Sequence, residues 1–381
     1  MTIDSNPILI AGGGIGGLSA AIALRRAGFE AQVFERAPEL GEVGAGISLW
    51  PNATRQLRRW GVLDEVARNG FVFRDGVIRT PAGGVLSRMA FGAHDAPCVL
   101  IHRAALHAAL LAQLPAWAVH TGAVLEQFED DGETVRARFS GVGEVAGAAL
   151  VGADGLRSTV RRLLLDDGEP VYRGYPVWRG VAEGVASLPG ADQLTETMGA
   201  GRRFGTVPIG QGRVAWWAAA NEPPGTGDGP EGARAKLLRL FGGWHSPIPR
   251  LLEATPADTI LKNDTFDRPT RRGWSRGRVT LLGDAAHPTT PNMGQGGCMA
   301  IEDAAVLASS LARTPDLAAA LRDFERRRFR RVAGIVRQSR HFGRLGQLER
   351  PSAVRVRNAL LRLSPDALTE LTMRPILAFD V

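Results

Sequence analysis

The chain has 381 residues, 44% of them hydrophobic, with a formal net charge of +7 and two cysteines, Cys98 and Cys298. That size supports a sizeable core over about two or three lobes, and two cysteines exclude a disulfide framework and a paired-cysteine zinc site, so no metal is expected. No apolar run reaches the roughly 18 residues that cross a bilayer, and the opening residues lack the basic-then-apolar order of a secretory signal, so a reducing, cytoplasmic setting is expected. Lysine occurs only at Lys236 and Lys262, so arginine carries the positive charge. Its arginines are interspersed with acids rather than striped with aromatics, and no nucleic-acid partner is expected.

The first predicted elements lie in "ILIAGGGIGGLSAAIALRRAGFEAQVFERA", residues 8–37: a buried strand at 8–11, a helix at 15–27 and a strand at 31–35 ending in Glu35. A further helix starts at Pro51 and stops at Gly61. A hairpin-like stretch over 71–91 follows, then a helix in "HRAALHAALLAQL" and a meander of short strands over 120–150 that turns at Asp130 to Gly132. From Val171 to about Trp274 the pattern is rich in strands and turns, interrupted by the exposed loop "NEPPGTGDGPEG", and reads as a separate inserted sheet. "GRVTLLGDAAH" is a second very apolar strand, and "GQGGCMAIEDAAVLASSLA" a long helix. Phe324–Arg344 alternates charge with apolar residues at helical spacing and reads as a solvated helix face. The tail beyond 345 is helical in pattern and carries no recognisable site, and no internal repeat is present.

Gly12, Gly14 and Gly17 stand in the order G-x-G-x-x-G between strand and helix. The first allows a tight turn, the second lets backbone approach a pyrophosphate, and the third lets helix and strand pack closely. The helix start offers free N–H groups and a positive dipole end to the phosphates. Glu35 is placed to take both hydroxyls of an adenosine ribose lacking a 2′-phosphate. This defines dinucleotide binding and leaves FAD and NAD both open.

Two later stretches narrow it: Asp154-Gly155 with Ser158 and Arg161 in "ALVGADGLRSTVRRLL", and Gly283-Asp284, Pro288, Pro291 and Gly294-Gln295-Gly296 in "VTLLGDAAHPTTPNMGQGGCMAIEDAAVL". On these three signatures, in this order, the chain resembles the FAD-dependent aromatic hydroxylases of the para-hydroxybenzoate hydroxylase type, the group A flavoprotein monooxygenases, over roughly residues 6 to 345. Its phrases "GISLWPNA" and "GQGGCMAIEDA" are similar to those of salicylate-, hydroxynicotinate- and urate-hydroxylating members.

The resemblance implies an α/β fold: a Rossmann-like FAD-binding domain of glutathione-reductase type (residues 1–70, 99–170 and 276–345), an inserted mixed β-sheet substrate domain (71–98 and 171–275) and a C-terminal helical segment (346–381). It implies that Gly12, Gly14, Gly17, Glu35, Arg36 and Val124 hold the ADP half of FAD, that Asp154-Gly155 serves FAD and the pyridine nucleotide, and that Asp284 binds ribityl hydroxyls near Arg103. It further implies that Ser48 lies beside the flavin and that the backbone from Gly294 through Gln295, Gly296 and Gly297 to Cys298 approaches its N1–C2=O edge. A helix N-terminus stabilises the anion that reduced flavin carries there. Many relatives have Asn where this chain has Cys298, so no side-chain contact is implied at that position.

No second glycine fingerprint is present, which matches transient use of NADH or NADPH as reductant. The implied reaction is monooxygenation through a flavin C4a-hydroperoxide, with O₂ and a small aromatic or heteroaromatic acid or phenol as substrates, in a monomer or homodimer. A flavin oxidase or reductase, or an epoxidase or antibiotic-tailoring hydroxylase on the same scaffold, remain alternatives. Substrate candidates on the inserted sheet are Arg179, Arg203, Thr206 and Trp216, with Trp178, Phe204 and Trp217 nearby and Pro291 shaping the wall above the flavin. His287 reads as a turn histidine.

Overall fold

A computed structural model describes residues 6–41, 44–91, 94–185, 187–364 and 366–381; Glu42 and Val43 of the stretch before Pro51 lie outside them. The opening strand Ile8–Ala11 is central in a six-stranded sheet, parallel to Ala31–Phe34 on one side and to Ala149–Gly152 on the other. All four of its residues are buried, which is why it reads as an unbroken apolar run rather than an alternation. Val279–Leu281 extends this sheet beyond Ala149–Gly152, so the strand ends that carry Gly12, Asp154 and Asp284 sit side by side. The helices Ile15–Arg26 and Gly296–Arg313 pack together over it.

The 120–150 region forms an antiparallel meander of Leu125–Asp130, Val135–Phe139 and Gly143–Gly147. Phe71–Phe73, assigned from sequence to the inserted sheet, pairs instead with Cys98–His102, which also holds Gly46–Leu49. Antiparallel strands let this small sheet close on local partners.

The inserted sheet has seven strands, in the order Leu261–Asp267, Val171–Ala182, Val214–Ala220, Arg202–Pro208, Leu194–Met198, Asp75–Arg79 and Val85–Ala90. Two helices that the strand-rich pattern did not predict, Gly232–Phe241 and Ile248–Ala254, cover its outer face. Leu237, Phe241, Ile248, Leu251 and Leu252 are buried there against Trp178, Phe204 and Trp216. With helices on that face, the alternation of strand side chains sends Val177, Arg179, Arg203, Val207, Ala215 and Trp217 to the other face, toward the first domain.

The long helix Leu317–Gly346 connects both lobes, followed by Pro351–Leu363 and Asp366–Leu377. The tail is bonded to the first domain: Arg55 Nη1 donates to the carbonyls of Leu377 and Phe379 at 2.8 and 2.9 Å. Among the described residues no helix is long and apolar enough to cross a membrane.

Candidate active site

Gly12 adopts φ +109°, and a Cβ on Gly17 would lie 1.8 Å from the Gly12 carbonyl oxygen, so only glycine fits at either place. A Cβ on Gly14 would meet nothing within 4 Å: the loop is tight against its own strand and open outward. Glu35 closes the loop, its carboxylate accepting from Gly13 N at 2.6 Å and from Ala37 N at 2.9 Å. His107, which sequence reasoning passed over, braces the other side through Nε2 and the Gly13 carbonyl at 2.8 Å. Arg36 is exposed beside this loop, and Ala123 N donates to Glu35 O at 2.8 Å, which brings Val124 next to it.

Asp154 caps the helix Thr159–Leu165 with one oxygen, accepting from Thr159 N at 2.7 Å and Val160 N at 3.2 Å. Its other oxygen is buried without a partner, and burial raises the carboxyl above its ordinary range against these hydrogen bonds. Gly155, at φ +80°, leaves open space beside it. Ser158 Oγ accepts from Arg161 N, and Arg161 donates to the carbonyls of Ala285 and Ala286 at 2.9 and 2.7 Å, tying the Asp154 loop to the Asp284 loop.

Asp284 is open to the cleft, yet so much protein surrounds it that desolvation raises its carboxyl, with His287 and Arg103 pulling the other way. A Cβ on Gly296 would sit 3.9 Å from Asp284 Oδ1, which sets the carboxylate beside the start of helix Gly296–Arg313. No side chain caps that start, so its first-turn N–H groups stand free of intrahelical partners. Gly294, at φ +61°, turns the chain into the helix, and a Cβ there would come within 3.1 Å of Trp50 Nε1 and 3.5 Å of Ser48 Cβ. Gly297 lies against Ile47. The structure thus gathers Ser48, Asp284 and Gly294–Gly297 at one place.

Cys298 turns away from the cleft. It is fully buried, its thiol donates to Ser48 O and accepts from Trp50 N, both at 3.5 Å, and burial pushes it up to about 12. It clasps strand Gly46–Leu49 to the helix and is not a thiolate.

Beneath the cleft lies a buried polar network that sequence reasoning missed. Asn52 Nδ2 donates to Gln295 Oε1 at 3.0 Å and also to Glu302. Glu302 and Asp303 each lie 2.6 Å from Arg328, and Asp303 Oδ2 is 2.6 Å from His287 Nε2 and accepts from Gly283 N at 2.9 Å. Burial alone would raise Asp303; His287 and Arg328 outweigh it and hold the carboxyl at about 2. Arg328 is 0% exposed, which corrects the reading of Phe324–Arg344 as simply a solvated face. The available signal was the pair Glu302-Asp303 inside an otherwise apolar helix, two charges that demand buried partners. His287, read as a turn histidine, is bonded into this network through Asp303.

On the sheet side, Arg203 is 3% exposed and every branch of its guanidinium is engaged: Nε with Gln347 at 3.0 Å, Nη1 with Glu196 at 3.0 Å and Nη2 with Asn292 at 2.6 Å. It also sits over the rings of Tyr175 and Trp217. Arg179 is half-buried and donates to Asn263 at 3.1 Å, and desolvation, with the charge of Arg103 adding to it, lowers its pKa from the usual guanidinium value. Pro291 is exposed in the same region. Two substrate candidates are corrected. Trp216 belongs to the outer face, stacked on Phe204 with Nε1 donating to Thr255 at 2.8 Å. Thr206 pairs with it in register and donates to the Gln193 carbonyl at 3.4 Å. Trp178 and Phe204 share that face, and Trp217, one residue on from Trp216, is the tryptophan that faces inward.

These features test whether the site suits FAD. An open Gly14, an unpartnered Asp154 oxygen, an Asp284 carboxylate facing the cleft and an uncapped helix start are what a dinucleotide with a hydroxylated chain and a ring that becomes anionic would satisfy. They define the site of a flavoprotein. Comparison with known proteins agrees: the FAD binding domain family model matches residues 5–169 and 258–339, and the chain belongs to that family. It is 45% identical to the aurachin C monooxygenase/isomerase of Stigmatella aurantiaca, over 96% of this chain and 97% of that one. It is 38% identical to the 3-amino-4-hydroxybenzoate 2-monooxygenase of Streptomyces cremeus, over 87% and 86%. Among solved structures, Klebsiella pneumoniae HpxO complexed with FAD and uric acid superposes with a TM-score of 0.90 at 31% identity, covering 98% of this chain and 97% of that one. The protein is an FAD-dependent monooxygenase.

Proposed function

We propose that this monooxygenase uses NADH or NADPH and O₂ to oxygenate an electron-rich aromatic or heteroaromatic ring of the phenol or enol type, bound without a carboxylate clamp. One observation carries the reading: the three branches of Arg203 are committed to Glu196, Gln347 and Asn292, so the arginine is a strut in the pocket wall rather than a free fork for an acid. Beside it the partly buried Trp217, over whose ring Arg203 sits, faces inward and would orient a ring by shape. The names of relatives include substrates as different as aurachin C, urate and 3-amino-4-hydroxybenzoate, which supports ring oxygenation without fixing the ring.

FAD, when bound, supplies the redox chemistry, taking electrons from the reductant and passing oxygen to the substrate. The chain's residues hold and shield it. Gly12, Gly14, Gly17, Glu35, Arg36 and Val124 would hold the adenosine end, Asp154, Gly155, Arg103 and Asp284 the pyrophosphate and ribityl chain, and Ser48 with the backbone of Gly294, Gln295, Gly296, Gly297 and Cys298 the ring. Free N–H groups at that helix start would favour a negative charge without a basic side chain. Arg179 and Pro291 would border the substrate. Cys98 and Cys298, both free and buried, fit the reducing, cytoplasmic setting of this reading.

The test is a panel of neutral phenols and enol-type heteroaromatics beside aromatic acids, scored by stimulation of NAD(P)H oxidation and product mass. Stimulation and a +16 Da product are expected from the neutral set. Turnover confined to carboxylates, abolished by Arg203→Lys, would overturn the reading.

A further inference from the structure

Among the described residues, the helix Pro351–Leu363 meets the body of the protein through the side that carries Arg357 and Leu361. Leu361 packs on Ile78, Leu86 and Met198, and Arg357, 5% exposed, donates to the carbonyls of Gly199 and Gly346 at 3.0 and 3.2 Å. Those contacts fix the helix rigidly on the edge strands of the inserted sheet.

The other side of the helix is apolar and bare. Val356 is 60% exposed, Leu360 62% and Leu363 79%. At 3.6 residues per turn these three fall within a sector of about 60°. Large apolar side chains aligned and exposed in this way have no role in the fold and mark a docking surface. Arg355 and Arg362 lie together along one edge of the stripe, Arg350 precedes the helix, and all three are exposed. From Arg350 to Ser364 there is no acidic residue. More exposed apolar side chains lie close along the chain: Phe342 at 42% and Leu345 at 39%, in the last turns of the long helix.

We propose that this face docks the enzyme on an anionic phospholipid surface, the apolar stripe entering the headgroup boundary while Arg350, Arg355 and Arg362 engage lipid phosphates. An apolar stripe edged by arginines on a helix too short to span suits a membrane interface, where long cationic side chains reach back to the headgroups. A second copy of the chain would bring the same arginines against one another, so charge favours the lipid.

The experiment is co-sedimentation of the full-length, FAD-loaded protein with phosphatidylcholine vesicles, with and without phosphatidylglycerol. Binding to the anionic vesicles at least tenfold stronger than to the neutral ones, weakened by salt, is expected. Leu360→Glu/Leu363→Glu and, separately, Arg355→Glu/Arg362→Glu each reduce that binding at least tenfold while FAD content and NAD(P)H oxidation stay at the wild-type level. Absence of vesicle binding, or equal binding to both vesicle types, overturns the proposal. So does a self-associated wild type, in sedimentation velocity, that Leu360→Glu/Leu363→Glu converts to monomer.

Discussion

The two walls of the cleft treat polar groups in opposite ways. On the first domain, Asp284 faces the cleft and an Asp154 oxygen is buried without a partner, although burial raises both carboxyls. On the inserted sheet, Arg203 and Tyr175 both bond to Asn292 of the turn that precedes helix Gly296–Arg313, and no branch of Arg203 is left over. Unsatisfied groups cost free energy, and a protein tolerates them where a ligand completes them. On the proposed function, the first wall recognises the cofactor by hydrogen bonding, while the second, satisfied in advance, selects the ring by shape.

The largest effect should come from the support under the first wall. Arg328→Ala removes the buried cation that Glu302 and Asp303 share, leaving Glu302 to Arg331 and Asp303 to His287, and loss of one partner from such a cluster costs up to about 3–5 kcal/mol. Thermal or denaturant unfolding should show that loss with FAD occupancy falling in parallel. A stable variant with full flavin would separate the network from the wall it supports.

Next is the wall itself. Asp284→Ala removes a cleft-facing acceptor that the proposed function gives to the ribityl hydroxyls, and FAD should bind more weakly by about 1–3 kcal/mol while the apoprotein stays folded. Flavin fluorescence titration reads this directly, and unchanged affinity would remove Asp284 from the cofactor wall.

Acid should reach the same network. Asp303 is held at about 2, below the usual carboxylate value near 3.8. A carboxyl depressed by folding contributes stability above its unfolded pKa and loses it as pH falls through the folded one. Stability should therefore decline between about pH 4 and pH 2, and the decline should be shallower in Asp303→Asn when both are followed by circular dichroism.

How far the sequence foretold this contrast depends on whether the deciding interaction is local. The predicted strand at 8–11 and helix at 15–27 match Ile8–Ala11 and Ile15–Arg26, because glycine spacing and burial periodicity are written within a few residues. Glu35 and Asp284 could be singled out for the same reason: each ends or follows an apolar strand. The bond of Arg203 to Gln347 spans 144 residues and that of Arg328 to Asp303 spans 25, and in a chain so rich in arginine no local pattern distinguishes a strut from a surface charge. The pair Trp216-Trp217 shows the same limit. Alternation requires one inward and one outward, but which is which depends on the helices Gly232–Phe241 and Ile248–Ala254, whose short segments were hidden among glycines and prolines.

The smallest expected effect tests the second wall. Arg203→Lys keeps one positive charge and loses the planar fork, so it can keep the pair with Glu196 but not those with Gln347 and Asn292 together. If Arg203 is a strut, Asn292 and Tyr175 shift by a fraction of an ångström and the ring is held less accurately, while its charge recognition is unchanged. Substrate KM should then rise by less than about tenfold, the equivalent of 1.4 kcal/mol, for neutral and anionic substrates alike. FAD content should stay the same, because no cofactor-facing residue contacts the lost bonds. Less accurate placement should also divert reducing equivalents, so hydrogen peroxide per NAD(P)H should increase at the expense of product. Measuring KM, peroxide and product for a neutral and a carboxylate substrate decides between the two roles. A loss confined to the carboxylate would make Arg203 an anion clamp, and the two walls would then recognise their ligands in the same way.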